Sequence, residues 1–265
     1  MHPEIFRIGS LPIYSYGLML VISFVLGIAV AQRRARRRGI SSDAVLDVST
    51  VILISSIVGS RILYVLFHVD EFKGRWLDTI NITKGLAGLS MFGGILLAVV
   101  ASFVYLHKRR IHLLNMSDAI APSIALGVGI TRLGCFLNGC CFGRPTSLPW
   151  GVSFPPGSVA WSVMRNTNIH PTQIYSSLLG FLIFGIALYI DRKVRKPGII
   201  FLSVFLMYGL SRFLVDFLRY YEENNYAGIF GMELTSSQIF SLLFILGGML
   251  GLWLIERRSG GDKTM

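Results

Sequence analysis

Residues 131–145 read TRLGCFLNGCCFGRP, and all three cysteines of the chain fall there, within seven positions. Arg132, Asn138 and three glycines sit among them. A thiol attacks as its thiolate and so asks for a base or a positive field. Arginine supplies that field, and its planar fork also grips phosphate through two parallel hydrogen bonds. Two further arginines, Arg61 and Arg212, lie inside long apolar stretches. An ionised side chain there is costly and by default marks a functional site or a pair. Each of these arginines can snorkel to an interface or pair with a carboxylate. Asp216, one helical turn after Arg212, is such a partner. Taken together, Arg61, Arg132 and Arg212 are expected to converge on one anion.

What positions them follows from composition. Of 265 residues, 53% are hydrophobic and only 15% charged, with mean hydropathy +0.62; a soluble domain carries about a quarter charged residues. The class is all-α: a single polytopic membrane domain over 1–265, with no appended soluble module. A membrane-crossing helix needs roughly 20 apolar residues. Seven stretches qualify, at about 13–32, 45–67, 86–106, 116–134, 172–191, 198–218 and 235–256. Basic clusters follow the odd-numbered spans: RRARRR at 33–38, HKRR at 107–110, RKVRK at 192–196, and RR at 257–258 with Lys263 beyond. Cytoplasmic loops collect Lys and Arg, so the N-terminus is expected outside and the C-terminus inside. This orientation accounts for the net charge of +11 without nucleic acid, and the spans exclude a soluble nucleic-acid binder. The first span ends in a basic cluster and reads as retained, with no signal peptide and no lipidation site expected. A secondary transporter would show inverted repeats and interrupted midplane helices; no repeat relates the halves.

In this topology the three arginines occupy the outer halves of their spans, where the available anion is a phospholipid headgroup. The cysteine stretch opens an external segment at about 135–170. Its PTSLPWGVSFPPGS is rich in Pro, Gly and Ser, and a connection of this length is usually functional or disordered. Trp150, Phe154 and Trp161 suit the membrane interface. The glycines of AGLSMFGGILL (87–97) and GVGITRLG (127–134) allow close helix packing, or, at Gly93 and Gly94, space for a lipid.

Several ordered motifs resemble one family. Tyr16-Gly17-Leu18-Met19 opens the first span, and GSRILYVLF carries Gly59, Arg61 and Tyr64. GLSMFGG is similar to that family's Gly-Met-Ser-Phe-His-Gly-Gly. TRLGCFLNGCCFGR resembles its signature Gly-Arg-x-Gly-Asn-Phe-x-Asn-x-Glu-x-x-Gly, which ends on Gly143. HPTQIY (170–175) and MYGLSRFLVDFLR (207–219) resemble its His-Pro-Ser-Gln-Leu-Tyr and Tyr-Gly-x-x-Arg-x-x-x-Glu-x-x-Arg motifs. The family is the bacterial prolipoprotein diacylglyceryl transferases. The resemblance implies transfer of the diacylglyceryl group of phosphatidylglycerol, as a thioether, to the lipobox cysteine of a preprolipoprotein. Glycerol phosphate leaves, at the outer face of the cytoplasmic membrane, and no cofactor is needed. It further implies Arg132 and Arg212 at the phosphate, Tyr16 and Tyr208 on headgroup oxygens, and Asn138 on the signature loop or glycerol. Arg61, Tyr64, Gly143 and Asp216 complete the expected substrate contacts, Asp216 standing where the family has Glu.

Three positions depart from the pattern. Phe92 stands at the catalytic histidine, and Cys135 and Cys140 replace the signature Asn and Glu. Phe92 cannot take a proton, so His170 becomes the nearest substitute base. Four readings of the thiols stay open. They are packing, a disulfide of Cys135 with Cys140 or Cys141, a metal site in which His170 joins C-x4-C-C, and a catalytic nucleophile. No metal is expected. Family-fold alternatives are a protein that binds anionic phospholipid without transfer, and a transferase with another acceptor.

Overall fold

Backbone N–H and C=O groups in lipid must be satisfied within their own segment, which makes helices of long apolar stretches. The computed structural model describes residues 4–9, 11–72, 90–221, 226–229 and 232–261. Residues 86–89 of the expected third span, and Lys263, lie outside the described residues. In chain order the elements are β1 (Glu4–Ile8), β2 (Leu11–Tyr14), α1 (Ser15–Arg36), α2 (Ser42–Phe67), α3 (Val69–Phe72), α4 (Met91–Lys108), α5 (Leu113–Asn138), α6 (Val159–Met164), α7 (Thr172–Lys193), α8 (Ile199–Asp216), β3 (Tyr226–Ile229), β4 (Met232–Thr235) and α9 (Ser236–Gly261). Among the described residues, every helix but α3 and α6 is long and apolar enough to cross a membrane, seven in all. Their surfaces expose large apolar side chains such as Leu20, Val21, Leu53, Ile95, Leu182 and Leu246, as a helix facing lipid requires.

The all-helical expectation needs one addition. β1 pairs with β2 and β3 with β4 as antiparallel hairpins, leading into α1 and α9 respectively. Backbone outside the helices must also find partners, and two short extended segments side by side provide them. A second difference lies at α5, which runs to Asn138 rather than ending near 134. Cys135 and Asn138 therefore belong to its last turn.

Contacts divide the chain into two compact units, residues 32–116 and residues 1–31 with 117–265. In the first, α2 packs on α4 through glycine. A Cβ on Gly59 would run into the Gly93 carbonyl oxygen, and one on Gly93 into the Gly59 carbonyl oxygen. Gly93 thus serves backbone contact and opens no space for lipid. Two hydrogen bonds tie the same helices, Ser90 N–H to Ser60 O at 2.9 Å and Tyr105 O–H to Asp47 Oδ2 at 2.6 Å.

In the second unit, Ala121, Ala125, Ile183, Ala187, Ile200 and Val204 form a buried core among α5, α7 and α8. A Cβ on Gly180 would stand 2.7 Å from the Gly129 nitrogen, and Ser177 Oγ donates to Gly129 O at 2.7 Å, so α5 and α7 touch by backbone. Asp118, fully buried, accepts from the N–H groups of Gly198 and Phe201, both at 2.8 Å. A carboxylate thus satisfies the orphan donors at the start of α8. The segment between α5 and α7 is ordered around its own cluster of Phe142, Phe154, Ala160 and Ile169. Bridges join Pro145 and Val152 to Ile169. Its Pro and Gly content prevents long elements but not packing.

Candidate active site

Within the second unit, α5, α7, α8 and α9 enclose a cavity of about 200 Å³. Its wall is apolar along most of its length, with Ile124, Val128, Ile183 and Phe205 among the lining residues, and Arg132, Tyr208 and Arg212 supply its principal polar groups. The lining starts at Ala121 on α5 and at Phe201 on α8, reaches Arg132 and Arg212 respectively, and continues on α8 to Val215; each arginine lies 11 positions from the start. At 1.5 Å per residue that is about 16 Å of helix, apolar at one end and cationic at the other. Such a slot matches a molecule with a hydrocarbon tail and an anionic head.

Arg212 is held in place. Its Nε donates to Ser237 Oγ at 2.8 Å and its Nη2 to Tyr221 Oη at 2.7 Å. Asp216 Oδ1 lies 3.1 Å from Nη2 and also accepts from Tyr221 O–H at 2.7 Å. Asp216 Oδ2 accepts from Thr235 Oγ1 at 2.6 Å. Thr235 is in turn fixed by a reciprocal capping box with Gln238, whose Oε1 accepts from Thr235 N–H at 2.9 Å while Thr235 Oγ1 accepts from Gln238 N–H at 3.1 Å. The expected Arg212–Asp216 pair is therefore present, and Asp216 touches the arginine rather than the cavity. Burial holds the Tyr221 phenol above its usual range, so it remains a donor at neutral pH. Arg212 Nη1 has no hydrogen-bond partner among the described residues.

Arg132 sits nearly two turns before the end of α5, interacting with the Cys141 sulfur and lying in the field of Cys135 and Tyr208. The backbone of Tyr16 and the side chain of Met19 close on Gly134, where an added Cβ would come 3.2 Å from Tyr16 Cα. That places Tyr16 in the electrostatic neighbourhood of Arg132 and all three cysteines. Asn138 interacts with Cys140.

The cysteine turn is tightly built. Gly139 adopts φ +71° and Cys141 φ +63°, and Cys140 N–H bonds back to Cys135 O at 3.1 Å. All three thiols are free, and their sulfurs lie within 4.8 Å of one another; the disulfide, one of the four open readings, is not formed. Hydrogen bonds with Cys135 and Cys140 hold the Cys141 thiol well below its usual range, and the charges of Arg219 and Arg132 act in the same direction. The first turn of α7 grips the turn from outside. Thr172 Oγ1 donates to Cys141 O at 3.0 Å and Gln173 Nε2 to Cys140 O at 2.8 Å.

His170 stands apart from the cavity's lining residues. Its Nδ1 lies 3.3 Å from Tyr175 Oη, which accepts from Trp150 Nε1 at 2.8 Å. Gly143 is a point of close approach, donating to His170 O at 3.0 Å; a Cβ there would meet His170 and Leu218 backbone within 2.7 Å. Arg61 and Tyr64 belong to the other unit. There the Arg61 guanidinium lies over the rings of Tyr64 and Phe72, 5.9 and 5.5 Å from their centroids. Phe92 is exposed in the first turn of α4. Sequence reasoning missed Ser237, Tyr221, Thr235 and Arg219 around the arginines. Only Arg219 carried a signal, as the closing arginine of MYGLSRFLVDFLR.

Against known proteins, residues 3–254 match the family described as prolipoprotein diacylglyceryl transferase. A Clostridium tetani protein is 34% identical over 250 residues, covering 94% of this chain and 96% of its own length. A Geobacter sulfurreducens protein is 34% identical over 263 residues, covering 98% and 97%, and a Bordetella bronchiseptica protein 34% identical over 261, covering 97% and 95%. All three are named phosphatidylglycerol–prolipoprotein diacylglyceryl transferase.

Proposed function

This chain belongs to the prolipoprotein diacylglyceryl transferase family, and we propose that it moves the diacylglyceryl group of phosphatidylglycerol onto the lipobox cysteine of prolipoproteins. It is a multi-pass membrane protein. In our reading it lies in the cytoplasmic (inner) membrane with its N-terminus outside and C-terminus inside, because the basic clusters follow the odd-numbered spans. The site then faces the outer side.

The observation that carries this reading is the pairing of Arg132 and Arg212 on one apolar slot. The slot takes an acyl segment of the lipid, and the two guanidinium groups take its phosphate. The lipobox sulfur attacks the glyceryl carbon, a C–S bond forms and the C–O bond to phosphate breaks. The thiol proton ends on the departing glycerol phosphate or in solvent. Negative charge grows on the leaving phosphate, and fixed cations aimed there stabilise the transition state more than the ground state. Tyr208 shares the cavity wall and Tyr16 its neighbourhood, in place to orient headgroup oxygens. His170 is the proposed base, the Tyr175–Trp150 chain fixing its ring.

The test is complementation. The chain is expressed in a Gram-negative host depleted of its resident transferase, and the thioether adduct on a model lipoprotein is followed by mass spectrometry. Return of the diacylglyceryl mass supports the reading. A well-inserted protein without adduct overturns it in favour of lipid binding alone or another acceptor. That second reading draws on the cavity wall, which carries no His, Asp or Glu.

A further inference from the structure

The three thiols have no place in the transfer chemistry just described, yet the fold gathers them. Cys135 lies in the last turn of α5, and two left-handed positions on either side of Cys140, Gly139 and Cys141, fold the chain back on it. A β-carbon is disfavoured at such a φ, so Cys141 adopts it against its own preference. Thr172 and Gln173, both buried, hold the resulting carbonyls. Gln173 Oε1, buried beside the same turn, has no hydrogen-bond partner among the described residues. The outcome is three free sulfurs within 4.8 Å of one another. No histidine or carboxylate belongs to the group among the described residues.

Sulfur-only ligand sets select soft cations. A structural zinc site is closed by four protein ligands, and only three converge here. Three thiolates around a planar ion with bonds of about 2.3 Å stand about 4 Å apart, so a contraction of under about 1 Å closes the ring. We propose that Cys135, Cys140 and Cys141 form a three-sulfur site for monovalent copper. Three thiols give up their protons to water as three copper–sulfur bonds form, with no change of oxidation state. The doubly negative complex lies in the field of Arg219 and Arg132, both of which act on Cys141. His170, the fourth ligand considered from spacing alone, is engaged with Tyr175 instead.

The experiment uses the full chain, purified in detergent under a reductant, with no lipid substrate or acceptor present. Monovalent copper is titrated in competition with the coloured chelator bicinchoninate. The expected result is one copper per chain, a loss of affinity of at least about tenfold for each of Cys135→Ser, Cys140→Ser and Cys141→Ser, and three sulfur neighbours in X-ray absorption. Copper also protects all three thiols from N-ethylmaleimide in the unmodified protein, which keeps the test open if a variant fails to fold. The proposal is overturned if the triple serine variant, folded by its unfolding profile, holds as much copper as the parent. It is equally overturned if the three thiols alkylate at the same rate with and without copper. Either failure leaves the transferase reading untouched, since no transfer is measured.

Discussion

Arg212 and Arg61 are both cations in apolar helices, and the protein treats them differently. Arg212 is fixed by directional bonds to Ser237, Tyr221 and Asp216. Arg61 lies across the faces of Tyr64 and Phe72, an attraction that tolerates sliding and exchange of one cation for another. In Arg61's unit, α2 and α4 meet by backbone contact at Gly59 and Gly93. A guanidinium that must meet one phosphate geometry needs the first arrangement. Contact with the two ring faces keeps a positive charge beside them.

Removing Arg212 should have the largest effect. Arg212→Ala is expected to lower lipid transfer about 10²–10³-fold, the cost of one charge-stabilising donor. Arg212→Lys should fall nearly as far, because one ammonium cannot reproduce the fork. Transfer rates in detergent with purified lipid check this, and near-normal activity in Arg212→Lys would erase the contrast with Arg61. Next comes Asp216→Ala, which strands Arg212 and leaves Tyr221 and Thr235 without their shared acceptor. Breaking a buried pair costs about 3–5 kcal/mol, read as a lowered denaturation midpoint together with reduced transfer. Gly93→Val tests the other unit, where overpacking against the Gly59 carbonyl costs about 1–3 kcal/mol. Thermal unfolding should register it, and an unchanged midpoint would mean that α2 and α4 are free to separate. The smallest effect is expected from Arg61→Lys. It keeps the charge over both rings, and transfer should change by less than about tenfold.

The seven crossings were legible because hydrocarbon thickness sets their length and the basic clusters mark alternate ends. Arg132 and Arg212 were legible because a charge in an apolar helix demands a reason, Tyr208 only through the resemblance of its motif, and all three line one cavity. The clamp on Arg212 was not. Ser237 lies 25 positions away on α9, and serine at a helix start reads only as local capping. The extension of α5 to Asn138 was hidden because Gly134 and the thiols resemble a loop opening, whereas packing against α1 holds that turn helical. The HPTQ motif drew attention to its histidine, while the structure shows Thr172 and Gln173 gripping the cysteine turn. Those bonds run to backbone carbonyls, which carry no sequence signal.

Asp118 also bears on the order in which the protein is made. Its acceptor bonds to Gly198 and Phe201 join residues 80 and 83 positions apart. At about 5–20 residues per second, synthesis reaches Gly198 roughly 4–16 s after Asp118 has emerged. Until then neither bond exists. The tie between α5 and the start of α8 is thus completed only seconds after α5 itself has been made.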